Sequence, residues 1–205
     1  DIQNAHYCAG QVGIQFTWLD LISAGCPYAL EELASVMKPV DLYNLYKQTG
    51  LLDQPAIQIE SIIPVNLETY SDITALFEGK SNLLVTPLQV ALAYAPFSNG
   101  GYYIESSLTT ATRAPGENWE LIKTGFNNDK ALISPVYQQF SASRGSGWSI
   151  SASVPTQTGS MAWFVKATPT NWQGVPIVLV VALEDSTPAL TQNIGLSVYR
   201  AATNE

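Results

Sequence analysis

The chain has 205 residues, which suits one packed domain. Hydrophobic residues make up 46% of it and charged residues only 13%, and the formal net charge is −8 at pH 7. An acidic chain without a cluster of Lys or Arg is a poor partner for nucleic acid and for an anionic membrane surface. The sequence holds no apolar run of about 18 residues, so we predict no membrane span.

The chain has two cysteines, Cys8 and Cys26, and one histidine, His6. These side chains fall short of the four ligands of a structural zinc site, so we predict no metal. Nothing in the sequence marks a catalytic partner for His6. Two buried thiols and a disulfide are both compatible with the cysteines. A low Lys content with many Ser, Thr and Asn suits an exported protein, in which a disulfide persists.

In chain order, the first predicted elements are two short helices. Pro27 suits the start of one helix, and Pro39 ends it and begins the next, because proline needs no N–H partner at the first helical position. Gly50 is expected to end the second helix. Residues 73–77 are expected to form a further helical turn. Apolar residues at helical spacing form the predicted inward faces: Leu30, Leu33, Ala34, Met37, Leu42, Leu45 and Tyr46.

The clearest helix signal begins at Thr86. Thr86 is a predicted N-cap, Pro87 occupies the first helical position, and Gln89 lies where a capping box needs it. The sequence 99–101, Asn-Gly-Gly, tolerates positive φ and is expected to end the helix. The spacing i, i+3, i+4 and i+7 predicts one buried face, made of Leu88, Ala91, Leu92 and Ala95.

Strand signals dominate the rest of the chain. Residues 102–104 are expected to be extended, residues 108–123 to form a hairpin around 114–118, and Asn127-Asn128 to lie in a polar loop. Ser134-Pro135 is expected to open a helix.

Three further segments predict an antiparallel sheet. Residues 148–154 alternate apolar and polar, a turn at Gly159-Ser160 leads to a strand over 162–168, and 177–183 is a continuous apolar run. Thr187-Pro188 opens the last helix. Its predicted inward residues are Leu190, Ile194, Val198 and Ala201. The fold class is therefore α+β, with a helical half followed by an antiparallel sheet flanked by helices.

Two stretches resemble the C-terminal half of the transpeptidase domain of penicillin-binding proteins. One is Thr86-Pro87-Leu88-Gln89 followed by Asn99-Gly100-Gly101, and the other is Ala162-Trp163-Phe164 leading to Thr168-Pro169. The resemblance covers about residues 7–184. It implies that 1–205 is a single, partial transpeptidase-like domain on the outer face of a bacterial envelope. The region of the first catalytic motif is then expected to lie before Asp1, so the chain is expected to derive from a longer one.

The resemblance also implies where the catalytic motifs should lie, and each is altered. Gln157-Thr158-Gly159 stands in the place of Lys-Thr-Gly, so a neutral amide replaces the cation that attracts a substrate carboxylate. Ala24-Gly25-Cys26, or Ser23-Ala24-Gly25 one residue earlier, stands in the place of Ser-x-Asn, and neither has both polar groups. No catalytic residue is assigned.

Two literal motif matches compete with these positions. Ser35 and Lys38 form a Ser-x-x-Lys, but Ser35 follows the second motif, whereas the nucleophile of the family precedes it. Lys123-Thr124-Gly125 leads into a polar loop rather than into the Trp-Phe strand. We therefore prefer Gln157 and treat Ser35 and Lys123 as chance matches.

The resemblance with altered motifs predicts a non-catalytic domain that binds or scaffolds in the cell wall, without a cofactor. Its expected partner is a peptidoglycan peptide or a cell-wall protein. Two alternatives stay open at this point: a fragment of an active D,D-transpeptidase whose nucleophile lies upstream, and a protein or peptide interaction module. If the chain is exported, we predict a disulfide between Cys8 and Cys26.

Overall fold

The computed structural model describes residues 21, 26–52, 55, 73–77, 83–104, 111–121, 126–130, 148–156 and 158–204. The helices are α1 (Pro27–Val36), α2 (Pro39–Gln48), α3 (Ile73–Phe77), α4 (Pro87–Ser98) and α5 (Pro188–Thr203). The strands are β1 (Tyr102–Ile104), β2 (Ala111–Thr112), β3 (Glu120–Leu121), β4 (Phe126–Lys130), β5 (Trp148–Pro155), β6 (Ser160–Ala167) and β7 (Val178–Glu184). The predicted α+β class is confirmed. None of the helices in this part of the chain combines the length and the hydrophobicity of a membrane span.

The main sheet is antiparallel, in the order β5-β6-β7. β5 pairs with β6 from Trp148↔Ala167 to Pro155↔Ser160, and β6 pairs with β7 from Met161↔Glu184 to Ala167↔Val178. The alternating and apolar patterns predicted these three strands correctly. The connection between β5 and β6 occupies residues 156–159, slightly before the predicted turn at Gly159-Ser160.

Helices cover both faces of this sheet. On one face, Val90 of α4 packs in a cluster with Trp148, Val165 and Ala167. On the other face, Phe164 lies directly against Gly195 of α5. Because neighbouring residues of a strand point to opposite faces, β6 contributes to both cores and is the most buried of the three strands.

The helix α4 begins with the predicted capping box. The Thr86 side chain accepts a hydrogen bond from the Gln89 N–H (3.2 Å), and the Gln89 side chain accepts one from the Thr86 N–H (2.9 Å). Two further bonds hold the helix at its ends. Gln89 Nε2 donates to the Leu51 carbonyl (3.4 Å), and Ser98 Oγ donates to the Thr168 carbonyl (2.9 Å).

The predicted buried face of α4 is wrong except at Ala95. Leu88, Ala91 and Leu92 are only partly buried. The helix is apolar on nearly all sides, so spacing alone does not single out one face. The residues that are buried are Gln89, Val90, Ala93, Ala95, Pro96 and Ser98.

The predicted inward face of α5 is also wrong. Leu190, Ile194 and Val198 are 52%, 40% and 47% exposed, and Ala201 is exposed as well. The buried residues are Thr191, Gly195 and Tyr199, one position further along the helix. A side chain at position 195 would overlap Phe164, so glycine lets the helix approach the sheet closely along this less hydrophobic face.

The helical half has its own small core. Ala34 of α1 and Leu42 of α2 are buried, and Met37, Tyr46, Leu76 and Phe77 pack around them. The bounds of α1 and α2 confirm the two proline-initiated helices, and Gly50 follows α2 with a φ of 71°. Leu45, predicted to point inward, is 40% exposed, because Leu42 and Tyr46 already occupy the side of α2 that meets the cluster.

Two small antiparallel pairs complete the described structure. β2 and β3 form the predicted hairpin, in which the Arg113 guanidinium lies 5.4 Å from the centre of the Trp119 ring. β1 pairs with β4, so the prediction of a loop at Asn127-Asn128 is wrong. Strand pairing uses backbone groups, and polar side chains do not prevent it. The helix predicted at Ser134-Pro135 lies outside the described residues.

Candidate functional site

The turn between β5 and β6 carries the Lys-Thr-Gly-like sequence. Thr158 and Gly159 are exposed in this turn, and the Thr156 N–H donates to the Gly159 carbonyl (2.9 Å). Gln157 lies outside the described residues. The two described positions of the motif therefore lie beyond the end of β5 rather than within the strand.

Asp185 approaches this turn from the end of β7. Its backbone N–H donates to the Ser160 carbonyl (2.8 Å), and its Oδ1 accepts from the Ser160 N–H (3.3 Å). A side chain at Gly159 would overlap Asp185 Oδ1, so the carboxylate lies directly against the Cα of that glycine. Asp185 adopts a left-handed conformation with a φ of 47°.

This contact places the negative charge of Asp185 beside the turn that contains Gly159. A second carboxylate about 4 Å away would meet a repulsion of about 1 kcal/mol in water, and more as solvent is excluded. The turn therefore disfavours a ligand carboxylate on the side where Asp185 lies. No sequence pattern singles out Asp185, which is one of two adjacent acidic residues after the last strand. Its significance arises from the proximity of two turns that are far apart in the chain.

The Ser-x-Asn-like sequence has one described residue, Cys26, and both Ala24 and Gly25 lie outside the described part. Cys26 is fully buried and is the N-cap residue of α1, with its N–H donating to the Leu21 carbonyl (2.9 Å). Its sulfur is in a disulfide. The position therefore offers no side-chain amide to a ligand. Cys8 lies outside the described residues, so its pairing with Cys26 stays a prediction.

The literal Ser-x-x-Lys lies on an exposed part of the helical half. Ser35 Oγ donates to the Glu32 carbonyl within α1 (2.7 Å), an ordinary bond between a helical serine and its own backbone. Lys38 is exposed and is the N-cap residue of α2. The competing Lys123-Thr124-Gly125 lies outside the described residues, as does His6.

Among the residues that the structure describes, two tyrosines in the core have clearly shifted pKa values. Burial raises the pKa of Tyr94, and burial together with the proximity of Tyr94 raises the pKa of Tyr46 to about 12. The Tyr94 ring lies 4.9 Å from the Trp148 ring, centre to centre, in an aromatic cluster with Phe97. These phenols stay neutral at physiological pH and have a structural role. Among the described residues no cluster of His, Cys, Asp and Glu could hold a metal ion.

Solved structures of penicillin-binding proteins and of a peptidoglycan glycosyltransferase share this fold. Penicillin-binding protein A from M. tuberculosis, in an imipenem acyl-enzyme complex, matches with a TM-score of 0.74 at 20% identity over 89% of this chain and 46% of its own. Penicillin-binding protein 3 from the same organism, complexed with aztreonam, matches at 0.65 and 14% identity over 86% and 49%. A peptidoglycan glycosyltransferase from Burkholderia ambifaria matches at 0.57 and 14% identity over 89% and 62%.

The chain therefore has the fold of penicillin-binding protein transpeptidase domains, as the sequence resemblance predicted. It spans about half the length of the M. tuberculosis proteins that it matches. No family model matches the chain, and no curated protein matches it. The fold is shared at low sequence identity, so the properties of these neighbours do not transfer to individual residues.

Proposed function

We propose that this chain is a non-catalytic domain of penicillin-binding protein type that acts by binding or scaffolding in the bacterial cell envelope, outside the cytoplasm. The observation that carries the proposal is the combination of a transpeptidase fold with altered residues at the expected motif positions. Its expected ligand is a peptidoglycan peptide or a cell-wall protein.

Three features support the absence of acylation. Cys26 is fully buried, and it belongs to the segment that the sequence resemblance expects in the place of Ser-x-Asn. The Ser35 hydroxyl donates to a backbone carbonyl of its own helix, that of Glu32. Asp185 brings a negative charge to the turn that should attract a carboxylate. Catalytic residues that act together depend on one another, so the loss of one removes most of the effect of the rest. Because several of the motif residues are altered here, we expect no acylation.

The acylation test uses a reactive penicillin followed by intact mass measurement. We expect no covalent adduct on residues 1–205 or on the product of the complete reading frame, which would contain any upstream nucleophile. We also expect none on a Gln157→Lys variant of either, because restoring one cation leaves Asp185 and the other altered positions in place. A double variant, Gln157→Lys with Asp185→Asn, removes the opposing charge and is also expected to remain unmodified. A stoichiometric adduct on any serine, and on Ser35 above all, would contradict the non-catalytic proposal.

The binding part of the proposal rests on the exposed end of the β5–β6 hairpin. β5 is an edge strand of the described sheet, and an added peptide strand can use such an edge. The exposed Ser153 and Thr158 flank this end of the hairpin. We expect the chain to co-sediment with purified peptidoglycan and each of Ser153→Arg and Thr158→Arg to reduce the bound fraction several-fold.

Asn193→Arg provides the matched control, because it adds the same side chain at an exposed position of α5. It is expected to bind as the wild type does. If the wild type stays in the supernatant, the peptidoglycan ligand is wrong. If all three arginine variants bind equally, the ligand does not use the hairpin end.

A further inference from the structure

The end of α4 contains a dipeptide with chemistry of its own. Asn99 is the C-cap residue of α4, and it is the one asparagine of the sequence that is followed by glycine. The backbone nitrogen that follows an asparagine can attack the carbonyl carbon of its side chain. Gly100 favours this attack because it has no side chain to crowd the nitrogen. Gly100 is exposed and Asn99 is partly buried, so solvent reaches the dipeptide.

The reaction open to this dipeptide is deamidation through a cyclic imide. The Gly100 nitrogen loses its proton and forms a bond to Asn99 Cγ, while the bond between Cγ and Nδ2 breaks and Nδ2 leaves as ammonia with that proton. Water then opens the imide at either of its carbonyl carbons. The product is aspartate, or isoaspartate when the main chain runs through the former side chain. Water is the only co-reactant that this sequence of steps needs.

The folded backbone keeps the two reacting atoms apart. Ring closure needs the Gly100 nitrogen and Asn99 Cβ on the same side of the bond between Cα and C of Asn99. Asn99 has a φ of −117° and a ψ of 38°, which places that nitrogen on the opposite side of the bond from Cβ. Attack therefore requires a large rotation of ψ at Asn99, and this rotation moves the following chain relative to α4.

Three hydrogen bonds in the turn 99–101, between α4 and β1, oppose this rotation. The Gly101 N–H donates to the Pro96 carbonyl (2.8 Å), and the Tyr102 N–H donates to the Asn99 carbonyl (3.1 Å). Asn99 Nδ2 donates to the Tyr102 carbonyl (3.3 Å), so the bond that holds the turn also fixes the amide that would react. Tyr102 belongs to β1, which pairs with β4, and the rotation would therefore disturb this pairing as well.

We propose that Asn99 is a deamidation site that the native fold keeps closed and that local opening of the turn 99–101 makes reactive. The product places a negative charge at the C-terminal end of α4, where the helix dipole disfavours it. It also lacks the Nδ2 donor to the Tyr102 carbonyl, and isoaspartate adds a methylene group to the main chain within the turn. A chain that has opened and reacted is therefore less able to close again.

This proposal concerns the covalent chemistry of α4 and does not depend on whether the domain binds peptidoglycan. Its test follows position 99 of the purified 205-residue chain in buffer and in concentrated urea, at the same pH and temperature. Proteolysis followed by chromatography and mass spectrometry gives the fractions of aspartate and isoaspartate. We expect the folded chain to react at least about tenfold more slowly than the unfolded chain, because three hydrogen bonds must break first. Asn99→Gln, with its amide one carbon further from the backbone, should stay unmodified at this position in both.

Ser98→Ala distinguishes local opening from global unfolding. It removes the hydrogen bond from Ser98 Oγ to the Thr168 carbonyl (2.9 Å), which holds this end of α4 to the sheet. We expect the reaction at Asn99 to become several-fold faster in the folded chain, with the rate in urea unchanged. Thr191→Ala is the matched control, because it removes another buried hydroxyl, which is bonded within α5 to the Thr187 carbonyl (3.0 Å). It should leave the rate at Asn99 as in the wild type, and circular dichroism checks that both variants are folded.

Four results would overturn the proposal. Equal rates in buffer and in urea for the wild type would show that the fold does not protect Asn99. The absence of reaction in urea would show that Asn99 is not a deamidation site. A folded Ser98→Ala chain that reacts no faster than the wild type would show that this end of α4 does not control access. Equal acceleration by Ser98→Ala and Thr191→Ala would show that global unfolding, rather than opening of the turn 99–101, exposes the site.

Discussion

Replacing Gly195 with alanine tests how α5 is attached to the sheet. In an isolated helix this change is stabilising by about 1 kcal/mol, because alanine has the higher helix propensity. Here the added methyl group would overlap the Phe164 ring at Cδ1 and Cε1 and approach Cγ. Phe164 has no exposed surface and lies on the central strand of the sheet, so its ring cannot turn out into solvent to make room.

The expected change in the free energy of unfolding combines the overpacking against Phe164 with the opposing gain in helix propensity. Overpacking a well-filled core typically destabilises a protein by about 1–3 kcal/mol, and a contact with three ring atoms belongs at the upper end of that range. Subtracting the gain in helix propensity leaves a net loss of about 2 kcal/mol. For a chain of this size that loss lowers Tm by about 4–8 °C.

The assay is thermal unfolding followed by circular dichroism, with Gln192→Ala as the control for helix propensity. The control is expected to match or slightly exceed the wild type. Combining Gly195→Ala with Phe164→Leu should cost less than the sum of the single changes, with a coupling of about 1 kcal/mol or more. A Gly195→Ala chain at least as stable as the wild type would refute the close packing of α5 on Phe164.

Three further predictions concern other parts of the chain. Because the folded-state pKa of Tyr46, about 12, exceeds its unfolded value of 10.0, the neutral phenol stabilises the fold below pH 10 and this contribution is lost toward pH 12. Tyr46 alone should lower the unfolding free energy from urea titrations by roughly 2 kcal/mol over that range, and because the pKa of Tyr94 is also raised, the fall in Tyr46→Phe should be smaller than in the wild type by about that amount but not abolished. Thr86→Ala removes the acceptor for the Gln89 N–H and should cost about 1 kcal/mol in urea unfolding, whereas Thr86→Ser should be nearly neutral. Alkylation without reductant followed by intact mass should leave Cys8 and Cys26 unmodified, and a doubly alkylated species would contradict their pairing.

Local signals predicted the elements of this fold well. Pro27, Pro39, Pro87 and Pro188 each begin a helix, as their preference for the first helical position indicated. The alternation along β5 and the apolar run of β7 likewise identified strands. These features depend on a few neighbouring residues, so the sequence contains the necessary information.

Features that depend on distant residues were harder to predict. The spacing on α5 pointed to Leu190, Ile194 and Val198, but the contact with Phe164 selected the face that contains Gly195. A glycine in the middle of an otherwise regular helix was the available signal for that close approach. The place of Asp185 beside Gly159 depends on two turns meeting at one end of the sheet, which no local pattern encodes.

Side-chain hydrogen bonds at both ends of α4 connect this helix to the segment after α2 and to the end of β6. Near the start of α4 the Gln89 side chain donates a hydrogen bond to the Leu51 carbonyl, which lies just after α2. At the end of α4 the Ser98 hydroxyl donates to the Thr168 carbonyl, which lies just after β6. A local opening of either region would have to break a bond to α4 or carry the helix with it. The amides of α4 should therefore exchange with solvent only through openings that involve the sheet as well, so that helix and sheet form one cooperative unit of unfolding.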